Sequence, residues 1–249
     1  MKERPARVPR LFVDAGLRPQ AKLALPGDAA HHAARVLRLR EGDAVVLFNG
    51  RGGEYEARLF MPGRGHVIAE IGAKREIERE SPLGVTLVQA VSTGEKMDFT
   101  IQKAVELGVA AIQPVFGARS VVRLSGERAA KRLAHWRRVA IAACEQCGRN
   151  RLPEVREVKT VEIYCRNPDH ASTRILLCPD GKNNLREIKP TVRHTLILAA
   201  GPEAGFSDQE EALFAAAGFV RLRLGPRVLR TETAALAALA ALNALAGDF

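Results

Sequence analysis

Two glycine-containing segments near the end of the chain have the composition of ligand-binding loops. The first is LAAGPEAGF (198–206) and the second is LGPRVLRTETA (224–234). Each begins as an apolar strand and continues as a loop before a predicted helix. In an open parallel sheet, ligands bind at the carboxyl ends of strands, where glycine lets a ligand approach unpaired backbone groups. We therefore expect the two loops to form one pocket.

Common catalytic motifs are absent from the chain. It has no GxGxxG, no phosphate-binding GKS or GKT, no GxSxG and no HExxH, which argues against dinucleotide, nucleoside triphosphatase, serine hydrolase and zinc peptidase chemistry. Cys144 and Cys147 form one CxxC without the second pair of a zinc ribbon, so no metal is expected. The residues alone indicate a small-molecule site, nucleotide-like in character, in a basic protein.

Alternating strands and helices would position the two loops. Apolar runs predict strands at 85–91, 111–116, 174–178, 195–200 and 220–224, with helices at 97–107, 127–147, 207–217 and 231–246. This order predicts a parallel α/β sheet. Ser207 followed by Glu210 predicts a capping box, and Leu236, Leu239, Leu242 and Leu245 give the last helix an apolar stripe.

The first eighty residues have a different pattern. Short alternating runs at 43–48 and 65–71 predict strands of a small β-barrel, joined through a hairpin signal at 49–53 and interrupted by a helix at 29–37. The charged stretch 74–82 is typical of a linker. We place the boundary near Ser81, so the predicted domains are 1–80 and 81–249.

Composition and charge narrow the class of protein. The chain has 249 residues and 47% hydrophobic content, and its longest apolar run, 234–246, is too short to span a bilayer. Without a secretory signal, a cytoplasmic location with reduced cysteines is expected. The net charge is +10, and ten Lys or Arg residues lie between 119 and 156 against three Glu. Such clustering favours a polyanion, and hence RNA, as partner. Trp136 lies in the same segment and has the helical spacing of a core residue rather than of a base-stacking one.

At this point the residues resemble a known family. GPEAGF and LGPRVLRTETA are similar to the cofactor loops of the SPOUT methyltransferases, most closely the RsmE-type 16S ribosomal RNA uridine-N3 methyltransferases. Further matching segments follow in the right order along nearly the whole chain: PRLFV (9–13), HHAARVLR (31–38), EGD (41–43), KMD (96–98), QKAVELG (102–108) and EQCGR (145–149). The chain departs from the pattern at Ala204, Val105 and Cys147, where the family usually has glycine, threonine, and serine or alanine.

The resemblance implies a fold, a cofactor and a partner. It implies an N-terminal PUA-like RNA-binding barrel, and a C-terminal SPOUT domain with a deep trefoil knot, paired as a homodimer. The implied cofactor is S-adenosylmethionine, and the implied substrate is ribosomal RNA or the small ribosomal subunit. The implied cofactor-binding residues are Leu177, Leu198, Ala199, Ala200, Gly201, Gly205, Leu224, Gly225, Pro226, Val228 and Leu229.

The implied reaction suggests roles for three charged residues. Methylation of uracil N3 requires loss of a weakly acidic proton and stabilisation of negative charge on the flanking carbonyl oxygens. Arg230, at the end of the second loop, is the candidate cation, and Glu232 or Glu203 could accept the proton. The alternatives are that Arg230 only binds phosphate, Glu232 only complements its helix terminus, and Glu203 only braces its loop.

Other basic residues are assigned to RNA. Arg10, Arg35, Arg38 and Arg149 are the candidate phosphate contacts, which position RNA without reading its sequence. His31 and His32 fit the barrel surface better than a catalytic role. Two other functions remain open, namely a non-enzymatic ribosome-assembly factor and a SPOUT enzyme that methylates ribose or another base.

Overall fold

The structure is a computed structural model that describes residues 8–63, 66–120, 126–188 and 195–249. Gly65 of the predicted strand 65–71 and Arg123 of the basic segment lie outside these residues. The described chain divides into two compact units. The first holds the residues up to Glu80 together with Cys144–Leu152, and the second holds those of Ser81–Ala143 and Pro153–Phe249. The sequence gives no sign that Cys144–Leu152 belongs to the first unit.

The first unit is built on a five-stranded sheet. Its strands are β1 (Arg10–Phe12), β2 (Lys22–Ala24), β3 (Ala44–Phe48), β4 (Glu54–Gly63) and β5 (His66–Arg75). They are ordered β1-β3-β4-β5-β2, with β1 parallel to β3 and the other pairs antiparallel. Helix α1 (Gly27–His31) continues into a π-helical turn (His32–Val36), where the sequence predicted a single helix.

The predicted hairpin is confirmed between β3 and β4. The two strands pair in antiparallel register, and the connection contains Gly50 and Gly52 at φ values of 78° and 96°. These left-handed conformations favour glycine. The turn ends immediately before Glu54, which is the first residue of β4.

Glu54 belongs to a buried polar network in this unit. Its carboxylate accepts hydrogen bonds from Arg10 at 2.6 Å, from Arg79 at 3.1 Å and from Asn150 at 3.2 Å. Arg10 also donates to the Asn150 side chain and to the Arg149 carbonyl, and its guanidinium lies over the Phe48 ring. These bonds attach the segment Cys144–Leu152 to the sheet.

The second unit is a parallel α/β structure. Its strands are β6 (Gly84–Ala90), β7 (Ala111–Phe116), β8 (Glu154–Val155), β9 (Lys159–Thr160), β10 (Thr173–Leu177), β11 (Asn183–Asn184), β12 (Thr195–Ala200) and β13 (Val220–Arg223). Its helices are α2 (Glu95–Glu106), α3 (Gly126–Cys147, whose last turn belongs to the first unit), α4 (Val161–Arg166), α5 (Asp208–Ala216) and α6 (Thr231–Ala246), with a 3₁₀ turn at Leu185–Glu187.

The strand order is β11-β13-β10-β12-β6-β7-β8, and β9 also pairs with β7. Every pair is parallel, which confirms the predicted fold class. The register matters for function. Leu177 of β10 pairs with Ala200 of β12 and with Leu222 of β13, and Ala200 also pairs with Gln89 of β6. Four strands therefore end at nearly the same level.

Two helices show features that the sequence predicted, a capping box in α5 and an apolar stripe in α6. Helix α5 begins with the predicted capping box, in which Ser207 and Glu210 exchange hydrogen bonds. Helix α6 packs against α2 and buries Leu239 and Leu242 completely, whereas Leu236 is half-buried and Leu245 is exposed. The predicted apolar stripe is thus buried only in its middle.

Other sequence-based expectations have mixed outcomes. Trp136 is buried, as predicted, with Leu133, Ala140 and Ala143 of the same helix face. No helix in the described ranges is long and apolar enough to cross a membrane, and within those ranges no His, Cys, Asp or Glu group is arranged to hold a metal ion. The trefoil knot stays a prediction from the family resemblance.

The Arg10–Glu54 pair gives a stability prediction. We expect Glu54→Ala to lower the free energy of unfolding by about 3–5 kcal/mol, because it leaves the Arg10 charge buried without its carboxylate. Urea unfolding at neutral pH measures the loss. The double variant Arg10→Met/Glu54→Leu removes both charges and should cost clearly less, and equal costs would contradict the argument.

The same pair predicts acid sensitivity. Burial alone would raise the pKa of Glu54, but hydrogen bonds from Arg10, Arg79 and Asn150 outweigh burial and lower it. The stabilisation is therefore complete above the unfolded-state pKa of about 4.3 and is lost as the pH falls through the lower folded-state value. The stability difference between wild type and Glu54→Ala should shrink below pH 4.

Candidate functional site

A cavity of about 410 Å³ lies at the carboxyl ends of β10, β12 and β13, beside the start of α6. This volume falls in the range of small-molecule sites, about 300–1,000 Å³. Its walls combine apolar side chains with a few charged ones: Lys96, Leu177, Cys178, Pro179, Ala200, Gly201, Pro202, Glu203, Gly205, Phe206, Glu211, Leu222, Arg223, Leu224, Arg227, Val228, Leu229, Arg230, Thr231 and Ala234. The two loops that the sequence singled out meet here.

The position of the cavity follows from the sheet. Strand β10 lies between β12 and β13, so the chain leaves the sheet on both sides of β10 after Ala200 and after Arg223. This is a change of strand order of the kind at which open α/β sheets bind ligands. Backbone groups beyond the last ladder pairs are then available to a bound molecule.

The first loop is held from outside by the segment after β7. Arg119 donates to the carbonyl oxygens of Ala204 at 3.2 Å and Phe206 at 3.1 Å, and the Ala118 amide donates to Glu210 at the start of α5. The left-handed conformation falls on Gly205, at φ 71°, and not on Ala204. Alanine in place of the family's usual glycine therefore creates no backbone strain at this position.

A chain of hydrogen bonds joins the two loops. Gln89, fully buried at the end of β6, donates to the Thr231 hydroxyl at 3.0 Å, and this hydroxyl donates to the carbonyl oxygen of Gly201. Gly201 leaves little room for a side chain, since an added Cβ would lie 3.2 Å from the Phe206 ring. The first turn of α6 is thus fixed against the first loop at the level of the cavity.

The acidic groups of the cavity wall are already paired. Lys96, from the first turn of α2, donates to Glu203 at 2.8 Å, and Glu211 lies 3.0 Å from Arg221. The hydrogen bond from Lys96 lowers the pKa of Glu203 despite partial burial, which makes its carboxylate a weaker base. Burial raises the pKa of the Cys178 thiol, so it stays protonated and lines the wall as a weakly polar group.

Three arginines at the cavity have no such partner. Arg223, Arg227 and Arg230 are exposed, and within the described ranges no carboxylate lies within 4 Å of their guanidinium groups. Their unneutralised charge favours an anion. A carboxylate or a phosphate fits this rim by charge.

The predicted cofactor residues divide into two groups. Seven of them line the cavity, namely Leu177, Ala200, Gly201, Gly205, Leu224, Val228 and Leu229. The other four are not among the residues that line the cavity, and their assignment stays a prediction. Leu198 and Ala199 lie inside β12 and pair with both neighbouring strands, and Gly225 and Pro226 lie in the second loop but outside the wall.

The three catalytic candidates occupy different positions. Arg230 is at the wall, where it is the residue before the first turn of α6. Glu203 is also at the wall, bound to Lys96. Glu232 is not at the wall, and its Oε2 atom is buried with no hydrogen-bond partner in the described part of the chain. The structure brings Arg230 and Glu203 to one cavity, and Glu232 does not line it.

The four RNA-binding candidates all lie in the first unit, and two of them are corrected. Arg10 and Arg149 are buried, and their guanidinium groups bind Glu54 and Glu80. Interior ion pairs of this kind leave no face for a phosphate. Arg35 and Arg38 are exposed, so they stay candidates for phosphate contacts.

Sequence reasoning did not assign roles to several site residues. Lys96, Gln89 and Arg119 were missed because each acts on a loop more than eighty residues away in the chain. The signal that could have found Lys96 is the segment KMD (96–98), which matches the family. For Gln89, the only sign was an amide side chain in a mainly apolar strand.

A parallel sheet with a cavity at a change of strand order is the architecture of an enzyme that uses a bound small molecule. A family model described as RNA methyltransferase domain matches residues 79–243, and one described as RNA methyltransferase PUA domain matches residues 25–72. The chain belongs to the RNA methyltransferase family. This confirms the resemblance drawn from the two loops.

Individual relatives match over nearly the full chain. The ribosomal RNA small subunit methyltransferase E of Buchnera aphidicola subsp. Schizaphis graminum is 34% identical, over 97% of this chain and 98% of that protein. A methyltransferase from Legionella pneumophila, solved with bound cofactor SAM, is 39% identical with a TM-score of 0.93, over 98% of this chain and 100% of the other. The ribosomal RNA small subunit methyltransferase E of Neisseria gonorrhoeae, solved bound to S-adenosyl methionine, is 40% identical with a TM-score of 0.90 and the same coverage.

The hydrogen-bond chain between the loops can be tested without a ligand. We expect Thr231→Val to speed amide hydrogen exchange in residues 201–206, because the Gly201 carbonyl and the Gln89 side-chain amide both lose their hydrogen bond to the Thr231 hydroxyl. The matched control Thr231→Ser keeps the hydroxyl and should exchange like wild type. The global cost of the valine variant should be about 1–3 kcal/mol, and unchanged exchange in both variants would contradict the proposed coupling.

Proposed function

We propose that the protein transfers a methyl group from S-adenosylmethionine to N3 of a uridine in 16S ribosomal RNA. The observation that carries this proposal is the cavity that GPEAGF and LGPRVLRTETA form where neighbouring strands end at nearly the same level. Relatives that share this fold over the whole chain are named ribosomal RNA small subunit methyltransferase E, and one of these was solved with the cofactor. The target atom and nucleotide follow from the family resemblance of the two loops.

The residues of the cavity fit the cofactor. Leu177, Leu224 and Leu229 offer apolar surface to a flat adenine ring, and the glycine at 201 lets the backbone approach it closely. The exposed arginines offer charge to the cofactor carboxylate. When bound, the cofactor supplies an electrophilic methyl group on a positively charged sulfur.

The protein's part in the reaction is to orient the base and stabilise charge. Arg230 is placed where it can face either the target nucleotide or its phosphate, since it lies at the wall and at a helix start. Glu203 is ionised but weakly basic, because Lys96 lowers its pKa. Glu232 is not among the residues that line the cavity, which disfavours a direct proton transfer from uracil to it. Arg230 is the candidate we retain for contact with substrate.

Each unit has exposed cations that are candidates for binding RNA phosphates. Arg35 and Arg38 follow the short helix α1 in the first unit, and Arg128, Arg132 and Arg138 are exposed on α3 in the second. Each neutralised phosphate releases counterions and adds affinity without reading sequence. We also infer a cytoplasmic homodimer, in line with the family resemblance and with the exposed Leu245 of α6.

Two other functions would leave different signatures. A ribosome-assembly factor without catalysis would not need three unpaired arginines beside an apolar cavity. A methyltransferase acting on ribose or another base would bind the cofactor equally well. Only the modified nucleoside distinguishes the latter from the proposed activity.

The proposed activity predicts one product. Incubation of labelled S-adenosylmethionine with small ribosomal subunits that lack native modification should yield N3-methyluridine on nucleoside analysis. A different methylated nucleoside would refute the target atom. Absence of transfer together with absence of cofactor binding by calorimetry would support the assembly factor.

Arg230 gives a variant-level prediction. We expect Arg230→Ala to lower kcat/KM for methyl transfer about 100-fold or more, since a charge that stabilises the developing anion is lost. Single-turnover kinetics with saturating cofactor provide the measurement. If Arg230 only holds phosphate, Arg230→Lys should restore most of the activity and the loss in the alanine variant should appear mainly in KM.

A further inference from the structure

Lys96 brings a second positive charge to the cavity from a different element. The three exposed arginines come from β13 and the loop that follows it, whereas Lys96 comes from the first turn of α2. Its backbone is fixed there, because its amide donates to Thr93 and its carbonyl accepts from the Thr100 hydroxyl. The helix thus determines where the ammonium group can reach.

The Lys96 side chain is held by Glu203 but still has N–H donors for another partner. Its Nζ atom lies 2.8 Å from Glu203 Oε1, and both side chains remain 38% exposed. An ammonium group has three N–H donors, and the structure assigns one of them to Glu203. The other two are available to a molecule that enters the cavity from the exposed side.

Its surroundings favour a neutral or anionic partner for these donors. The other charged groups at the wall are Glu211, which is paired with Arg221, and the three exposed arginines. On α2 itself, Asp98 is bound to His135, and Glu95 carries the nearest remaining carboxylate in sequence. Glu203 is therefore the counter-charge that keeps Lys96 in place among cations.

We propose that the Lys96 ammonium, oriented by Glu203, donates to a carbonyl oxygen of the target uracil next to N3. This inference rests on the proposed uridine-N3 activity and assigns it a catalytic residue. Glu203 becomes a positioning residue that acts through Lys96, in place of the proton acceptor that the sequence suggested.

The chemistry of uracil explains why such a donor is needed. The N3–H proton leaves to solvent, the N3 electron pair forms the new N–CH₃ bond, and the S–CH₃ bond breaks with its electron pair remaining on sulfur. Negative charge is shared by N3 and its two flanking carbonyl oxygens until the methyl group arrives. A fixed ammonium beside one of these oxygens stabilises the anion and thereby lowers the pKa of N3 in the complex.

The test compares Lys96→Met with a matched variant of the same helix. Lys103→Met makes the identical change at a lysine that is also paired, with Glu106 at 2.7 Å, but is outside the cavity. We expect Lys96→Met to lower the single-turnover rate at neutral pH about 100-fold or more, with cofactor affinity by calorimetry unchanged. Lys96→Arg should recover part of the rate, and Lys103→Met should match wild type.

The pH dependence separates this role from a merely structural one. If Lys96 lowers the pKa of N3, the rate of Lys96→Met should keep rising at pH values where wild type has reached its plateau, so that the defect shrinks with pH. Glu203→Gln should shift the profile in the same direction by less. A defect of equal size at every pH, a rate within threefold of wild type, or loss of cofactor binding in Lys96→Met would each overturn the proposal. Wild type is assayed first, and its failure to form N3-methyluridine would refute the proposed function instead.

Discussion

The parallel register of β10 with its two neighbours is the constraint on which the site depends. Leu177 is opposite both Ala200 and Leu222, so three strands stop pairing at one level. Inside the sheet each backbone group is satisfied by the next strand, and the first available groups appear together at this edge. A slip of β12 by one residue would turn its side chains to the opposite face of the sheet and move Gly201 away from the wall. The position of the cavity is therefore set by the register of the sheet, and the loops complete its wall.

The loops keep their shape through residues that lie outside them. Gln89 reaches Thr231 and, through it, Gly201, while Arg119 holds Ala204 and Phe206 from the segment after β7. These bonds join protein groups only, and bonds of this kind reduce the entropy that a loop loses when a ligand binds. This explains why a buried glutamine lies near the end of a mainly apolar strand. Its cost of burial is offset by the bond to Thr231.

The sequence was sufficient for the features that are local in the chain. Periodicity predicted the strands around 85–91 and 195–200 and the long helices, and the capping residues predicted the start of α5. It failed where the role of a residue depends on a partner that is distant in the chain. Glu54 lies 44 residues from Arg10, and Glu203 lies 107 residues from Lys96. An arginine in a basic chain is interpreted as a phosphate contact unless a buried carboxylate is known to lie beside it. Helix α4 was missed for another reason, because its six residues are too few to show helical periodicity.

The distribution of charge at the cavity separates affinity from chemistry. Arg223 and Arg227 are exposed and act through solvent, where salt screens them, so they add affinity for any phosphate without selecting a base. The Lys96–Glu203 pair is half-exposed, and in water its field is weak as well. A docked RNA would exclude this water, and the attraction between the ammonium and an anionic base strengthens as the local dielectric constant falls. The cation would then have its full effect only after the substrate covers the site, which couples charge stabilisation to correct docking.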